Sequence, residues 1–388
     1  MARKREKQKA RTAVCTAANG VACLCAGILP AVCGMFCGCM EERDWRYYDD
    51  ELRRMVTSGD CPGYVMCTFE IGREEWSCFG WADMDASRAM SPDTVFSICS
   101  MTKSFVGALA AVLADRKAID LDEPVSRTFP AFTDDKADIT LRQCLSMTAG
   151  FVEMSPVMKK KGVNSQDAAD VVSEMSQLPL ASAPGTKYIY SNPSVEIAAA
   201  VIERKTGRRL EDLLAETFFI PLEMADTTFR PTQEMLSRLA VIYKMEEDGG
   251  CHCVENKVVR PPYEGPGSHV SASAGLFSTP YDIMKFYQML LRKGLAEDGR
   301  RVMTEGAIAL VAAKQTPPAV ADGYSLGFSL RTGWLGPDGF YRTAAECDLA
   351  RGRLRMLFTQ IEGSPTGSFL RLWRKMTSMS YDEMFFDD

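Results

Sequence analysis

Strand-like stretches gather at the two ends of this chain, and helical patterns fill the space between them. Residues 64–71 and 76–81 alternate apolar and polar side chains on either side of a Gly-Arg-Glu-Glu turn, which predicts a hairpin. Residues 324–330, about 340–349 and 353–360 also read as strands, the last pair joined through Arg351-Gly352. From Ala118 to about Ala240 the helical period dominates, broken by Pro124, Pro130, Pro184 and Pro221. Distant strands then share one sheet, and the helical middle is an insertion into it. The expected fold class is α+β, with sheet regions at about 41–99 and 280–380 and a helical insert at about 115–270. Further helices are expected over residues 41–58, with Trp45, Tyr48, Leu52 and Met55 at helical spacing, and over 283–291 after Ser-Thr-Pro. A last helix is expected at about 368–379, and residues 151–177 read as a polar loop and helix over the surface. A functional cleft is expected between sheet and insert, since pockets favour such borders.

Charge is distributed unevenly. Residues 1–11 carry six basic side chains and one acidic one, which leaves the remainder with 39 basic and 50 acidic residues and a net charge of −11. So acidic a body has no basic stripe to release counterions from nucleic acid, and a nucleic-acid partner is excluded. After Arg11 no charge occurs until Glu41, and the run is long enough to cross a bilayer. Basic flank and apolar run predict a signal or membrane-anchor segment at residues 1–40, with residues 41–380 exported to the cell envelope. A retained anchor, a cleaved signal and a lipidated Cys39 are the three forms this segment can take; export with a membrane tether is the expectation.

Six of the fourteen cysteines fall in that segment. The other eight, Cys61, Cys67, Cys78, Cys99, Cys144, Cys251, Cys253 and Cys347, permit disulfides without fixing their pairing. Cys251-His252-Cys253 lacks a second ligand pair at zinc spacing, and the one other histidine is His269. No metal and no organic cofactor are expected.

The chemistry begins at Ser100-Met101-Thr102-Lys103, which opens an apolar helix running to about Ala114. A serine and a lysine three residues apart lie on one helix face. The helix start adds backbone N–H donors and partial positive charge. Hydroxyl, amine and oxyanion donors are the parts of a serine nucleophile. Tyr188-Ile189-Tyr190-Ser191-Asn192-Pro193 follows 90 residues later, counted from Ser100 to Tyr190.

S-x-x-K followed by Y-S-N resembles the serine β-lactamase and penicillin-binding superfamily in its class C branch. That branch also holds family VIII carboxylesterases, D-alanyl-D-alanine carboxypeptidases, D-aminopeptidases and some acyltransferases. Flanking segments are similar to it as well: residues 139–150 with Met147 where histidine is usual, Ile202 to Gly207, Pro221-Leu222-Glu223-Met224, and Ala274 to Thr279 with Asp282. The likeness covers roughly residues 45–375. It implies a β-lactamase/transpeptidase-like fold, an antiparallel sheet flanked by helices with an inserted helical domain. It also implies that Ser100 becomes acylated, that Tyr190, alone or sharing a proton with Lys103, is the general base, and that Asn192 holds Lys103 and the substrate. Free tyrosine and lysine titrate near ~10 and ~10.4, so both need a shifted environment to act at neutral pH.

The family's third motif, Lys-Thr-Gly or a variant, lies on the strand facing the nucleophile. Lys205-Thr206-Gly207 matches its letters but falls at a helix end, where Gly207 reads as a cap. Register counted back from Cys347-Asp348 and Phe358-Thr359-Gln360 places Pro337-Asp338-Gly339 there instead; Arg331-Thr332-Gly333 and Trp334-Leu335-Gly336 need a gap. Gly339 would allow close backbone approach, and the Phe340 N–H would complete an oxyanion hole with that of Ser100. Asp338 would repel a carboxylate-bearing substrate unless Arg331 or Arg342 offsets it. The expected activity is therefore a serine hydrolase acting on a small-molecule or peptide ester or amide, esterase-like rather than an efficient β-lactamase. An acyltransferase using the same acyl-enzyme, and a weakened penicillin- or peptide-binding homologue, are the rival readings.

Overall fold

The two ends of the chain meet in one sheet. The computed structural model describes residues 45–362 except 71, 156–167, 247–249, 259–269, 322 and 332, together with Leu372. The expected leader, His269, the lysines at 159–161 and, Leu372 apart, the last helix lie outside the described residues. Helix α1 (Trp45–Ser58) precedes β1 (Gly63–Glu70), β2 (Arg73–Asp83), β3 (Arg88–Ala89) and β4 (Phe96–Ser97). A 3-10 turn, Cys99–Met101, leads into α2 (Thr102–Asp115). The middle holds α3 (Leu141–Leu145), α4 (Ala168–Gln177), α5 (Asn192–Thr206), α6 (Leu210–Leu214), α7 (Gln233–Ser237), β5 (Ile242–Met245), β6 (Cys251–Val254) and β7 (Phe277–Ser278). Then come α8 (Pro280–Leu291), α9 (Glu305–Ala312), β8 (Ser329–Arg331), β9 (Trp334–Gly336), β10 (Asp338–Gly339), β11 (Thr343–Asp348), β12 (Arg353–Phe358) and β13 (Ile361–Glu362).

The main sheet runs β3-β2-β1-β12-β11-β9-β8, with β10 pairing β11, and all these pairings are antiparallel. N-terminal β1 lies beside C-terminal β12, with Val65 opposite Phe358. Two local expectations differ from this. Gly63 to Cys67 are all buried rather than alternately so. Alternation needs one wet face, whereas Tyr64 donates a hydrogen bond to the Asp49 carboxylate of α1 on one side while Val65 and Cys67 join the main core on the other. The hairpin turn is also shorter than Gly-Arg-Glu-Glu, because Arg73, Glu74 and Glu75 already pair across the ladder with Glu70, Phe69 and Thr68. At the C-terminal end the expected strands shrink to β8, β11 and β12; Arg342, with φ of 65°, sits in the left-handed region directly before β11.

The middle segment is not wholly helical. β5 and β6 form a hairpin that continues through β13 into a three-stranded sheet, so Cys251-His252-Cys253 is strand rather than loop. Residues 151–177 are not all surface either: Phe151, Ser155, Val171 and Met175 are buried, and α4 packs on α5. The eight described cysteines are all free thiols. Among the described residues no His, Cys, Asp or Glu cluster is arranged to hold a metal, and no helix is long and apolar enough to cross a membrane.

Two helices are buried along most of their length: α2 from Thr102 to Leu113, and α5 from Asn192 to Ile202. Burial of each large aliphatic side chain contributes about 1.5–3 kcal/mol, so apolar runs of this kind are held rigidly inside the core. Their starts are fixed by capping. The Ser191 hydroxyl accepts from the Ser194 N–H at 3.2 Å with Pro193 in the first turn, and the Thr279 hydroxyl does the same for Asp282 at the head of α8. A capping box between Thr140 and Gln143 fixes α3. Gly207, with φ of 67°, ends α5 as a left-handed cap, far from β10 in the sequence and built into a helix terminus.

Candidate active site

Ser100 sits in the tight turn before α2, and the residue ahead of it is strained. Cys99 has φ of 45°, a region that non-glycine residues seldom occupy. The turn persists because it is tied on both sides. Thr102 Oγ1 donates to the Cys99 carbonyl at 2.7 Å and accepts from the Leu276 N–H at 3.1 Å. The hydroxyl of Ser100 is thereby presented at the lip of a buried helix.

One turn on, the Lys103 side chain is 1% exposed. Its Nζ lies 2.9 Å from Ser100 Oγ, 2.8 Å from Asn192 Oδ1 and 2.7 Å from the Ser273 carbonyl. Asn192 Oδ1 and the Ser273 oxygen only accept, so Lys103 donates to both. A neutral amine then has its lone pair left for the Ser100 O–H; an ammonium would spend its third proton there. Burial lowers the Lys103 pKa to about 7, against the opposing pull of Glu196 and, more weakly, Cys99, Asp338 and Glu153. The neutral form is therefore well populated near neutrality.

Tyr190 lies just before α5 with its ring centroid 4.8 Å from Lys103 Nζ. Asn192 is the first residue of α5. Its own N–H donates to the Glu153 carbonyl at 2.9 Å, and its Nδ2 donates to the Met154 sulfur at 3.0 Å. Met147, at the position where histidine was expected by resemblance, accepts the Ser191 N–H on its sulfur at 3.3 Å and has φ of 60°. Residues 153 and 154, expected on the surface, thus reach the Asn192 side of the site.

The opposite wall is β10. Asp338 pairs Ala344 and Gly339 pairs Thr343. A Cβ on Gly339 would lie 2.5 Å from the Ile98 carbonyl, two residues before Ser100, so only glycine lets this strand come so close. The alternative letters stand farther out on the sheet: Trp334–Gly336 is β9, and Gly333 lies in the turn from β8. The N–H groups of Phe340 and Tyr341 are within hydrogen-bonding reach of the Cys99 sulfur, although burial dominates and pushes that thiol up to about 11. Loss of hydration raises the Asp338 pKa; Arg331 and then Arg342 pull it back, with Lys103 a smaller influence. Arg331 and Arg342, the two residues expected to offset Asp338, thus favour its charged form while burial opposes it.

One contributor was missed in the sequence. Glu196, one turn after Asn192 and wholly buried, accepts from Ser271 Oγ, Ser273 Oγ and the Ala272 and Ser273 N–H groups at 2.6–3.0 Å. A single acid inside the apolar stretch from Pro193 to Ile202 was the available signal.

A serine, a buried low-pKa lysine, an asparagine and a glycine-containing strand thus meet at one turn of an α+β scaffold. The chain belongs to the Beta-lactamase family, whose model matches residues 48–375. Protein Rv1367c of Mycobacterium tuberculosis is 29% identical over 254 residues, 60% of this chain and 62% of that protein. The monacolin J acid methylbutanoyltransferase of Aspergillus terreus is 28% identical over 274 residues, covering 62% of this chain and 65% of the enzyme. The chain thus spans a little under two thirds of these relatives. Among solved structures, EstCE1, described as a hydrolase with promiscuous acyltransferase activity, superposes with a TM-score of 0.73 at 19% identity over 85% of this chain and 97% of that one. At that identity the likeness concerns the fold.

Proposed function

We propose that this chain is a serine hydrolase that forms an acyl-enzyme at Ser100 on an ester or amide. The observation that carries the reading is the Lys103 amine, buried, shifted to a pKa of about 7 and 2.9 Å from Ser100 Oγ. Ser100 Oγ attacks the substrate carbonyl as its proton passes to Lys103 Nζ. The N–H groups of Ser100 and Phe340 receive the oxyanion. Collapse of the tetrahedral intermediate breaks the bond to the leaving group, which takes the proton back from Lys103. Water then attacks the acyl-enzyme by the reverse sequence and restores Ser100. Asn192 keeps Lys103 on the serine.

Phe340 and Met154 both pack beside the small cluster containing Cys99 and Tyr341, next to the nucleophile. Such apolar neighbours favour a neutral acyl group over a carboxylate-bearing β-lactam or peptide. A fluorophosphonate probe or a short p-nitrophenyl ester should label or acylate the wild type and not Ser100→Ala. Absence of labelling from mild acid to base would remove the hydrolase reading.

The names of two relatives support a second reading, acyl transfer to an alcohol or amine in place of water. Product partition in the presence of added alcohol distinguishes it: ester formation well above the acceptor's molar share of the solvent favours the transferase. We further propose that residues 1–40 direct the chain to a membrane, on the strength of their basic flank and uncharged run. Fractionation of cells expressing the full chain and residues 41–388 tests this: equal soluble recovery of both would exclude it.

A further inference from the structure

We propose that Glu196 is the positioning residue that sets both the geometry and the charge state of Lys103, a role resting on the reading of Ser100 as nucleophile. Four donors from residues 271–273 converge on it. Oε1 takes the Ser271 hydroxyl at 2.7 Å and the Ser273 hydroxyl and N–H at 2.6 and 3.0 Å, while Oε2 takes the Ala272 N–H at 3.0 Å. The segment then turns back on itself, with the Ala274 N–H on Ser271 Oγ and the Gly275 N–H on the Ser271 carbonyl. That turn aims the Ser273 carbonyl at Lys103 Nζ, 2.7 Å away. Helix α5 thus grips Lys103 twice. Asn192 holds it directly, and Glu196, one turn later, holds it through Ser273.

A neutral amide would serve this loop poorly. Glutamine has one accepting oxygen and an amino group that only donates, whereas four donors converge on both oxygens of Glu196. A buried carboxylate is costly unless donors and an opposite charge answer it, and here the donors are Ser271, Ala272 and Ser273 and the charge is Lys103. The effect is mutual. Of the groups that favour the charged form of Lys103, Glu196 acts most strongly, ahead of Cys99 from the preceding turn, Asp338 from β10 and Glu153 from the segment before α4. The Tyr190 ring faces the same amine. Burial alone would drive the lysine lower still; Glu196 keeps it close to neutrality, where a base exchanges protons in both directions.

The test is an NMR titration of the Lys103 side chain, with the full chain labelled at lysine Cε and the resonance assigned by its loss in Lys103→Arg. Glu196→Gln should lower the Lys103 midpoint by about one pH unit or more. Glu196→Asp, which keeps the charge but withdraws it by a methylene, should lower it less and in the same direction, and it carries the test if the glutamine variant does not fold. The acid limb of Ser100 labelling should move down with the midpoint. A role confined to stability would reduce folded protein or rate at every pH and leave the midpoint in place; an unmoved midpoint in the folded variants overturns the proposal. Because the titration needs no turnover, a wild type that fails to label defeats the hydrolase reading on its own, separately from the Glu196 result.

Discussion

The two walls around Ser100 are built to different rules. On the helical wall, α2 with the turn before it and α5 supply side chains whose identity matters: Ser100, Lys103, Asn192 and Glu196 make specific contacts through specific atoms. On the sheet wall, β10 supplies closeness through Gly339, and burial raises the pKa of Asp338 while Arg331 and Arg342 oppose the rise. On the proposed mechanism, a changed letter should be tolerated where the backbone acts and not where a side chain moves the proton.

The sharpest way to break that comparison is on the helical wall. Lys103→Met keeps the length and apolar stem but removes the base, and labelling of Ser100 should fall by roughly 10²–10⁴-fold. A fall of less than tenfold would move the base elsewhere, with Tyr190 the next group to examine. On the sheet wall, Gly339→Ala drives a Cβ to 2.5 Å from the Ile98 carbonyl, a backbone atom that has nowhere to rotate. It should cut labelling by roughly 10²-fold through the displaced oxyanion donor and destabilise by about 1–3 kcal/mol in a denaturant melt. Asp338→Asn should by contrast leave a neutral ester nearly unaffected and raise the rate with a carboxylate-bearing one by at most about an order of magnitude. If Asp338→Asn proved as damaging as Gly339→Ala, the sheet wall would be acting through its side chain after all.

The smallest expected effect lies deeper in the sheet. Glu346 on β11 is buried, and loss of hydration raises its pKa to about 8 despite its ion pair with Arg355, whose guanidinium stacks 3.9 Å from the Trp334 ring centroid. Between its ordinary value of 4.5 and about 8, the folded state holds a proton that the unfolded state has lost. Its contribution is therefore fully present below pH 4.5 and is lost as pH rises through 8. Thermal melts across that window should show wild-type stability declining more steeply than Glu346→Gln. Parallel curves would mean that Arg355 keeps Glu346 ionised throughout.

The same contrast explains what could be read from the sequence. The start of α8 was legible because its cap is local: Thr279 and Pro280 lie within one turn of what they cap. Ser100 and Lys103 were legible because one helical turn brings them together. The register counted back along the C-terminal strands put Gly339 at the position where β10 meets the turn carrying Ser100. What stayed hidden depended on distant chain. The α1 contact that covers the second face of β1 and the 271–274 turn that meets Glu196 and Lys103 are long-range contacts that no local period encodes. The role of Glu196 depends on partners some 75 residues away, beyond the reach of any local pattern.

The central claim, that Lys103 is the base for Ser100 near neutral pH, is tested most directly by the pH profile of fluorophosphonate labelling in the wild type, with Ser100→Ala as the blank. The neutral amine is the reactive form, so the rate should rise with pH and reach half its plateau near the Lys103 pKa of about 7. A rate that stays low until the ordinary lysine range near ~10.4, or label retained by Ser100→Ala, would contradict it.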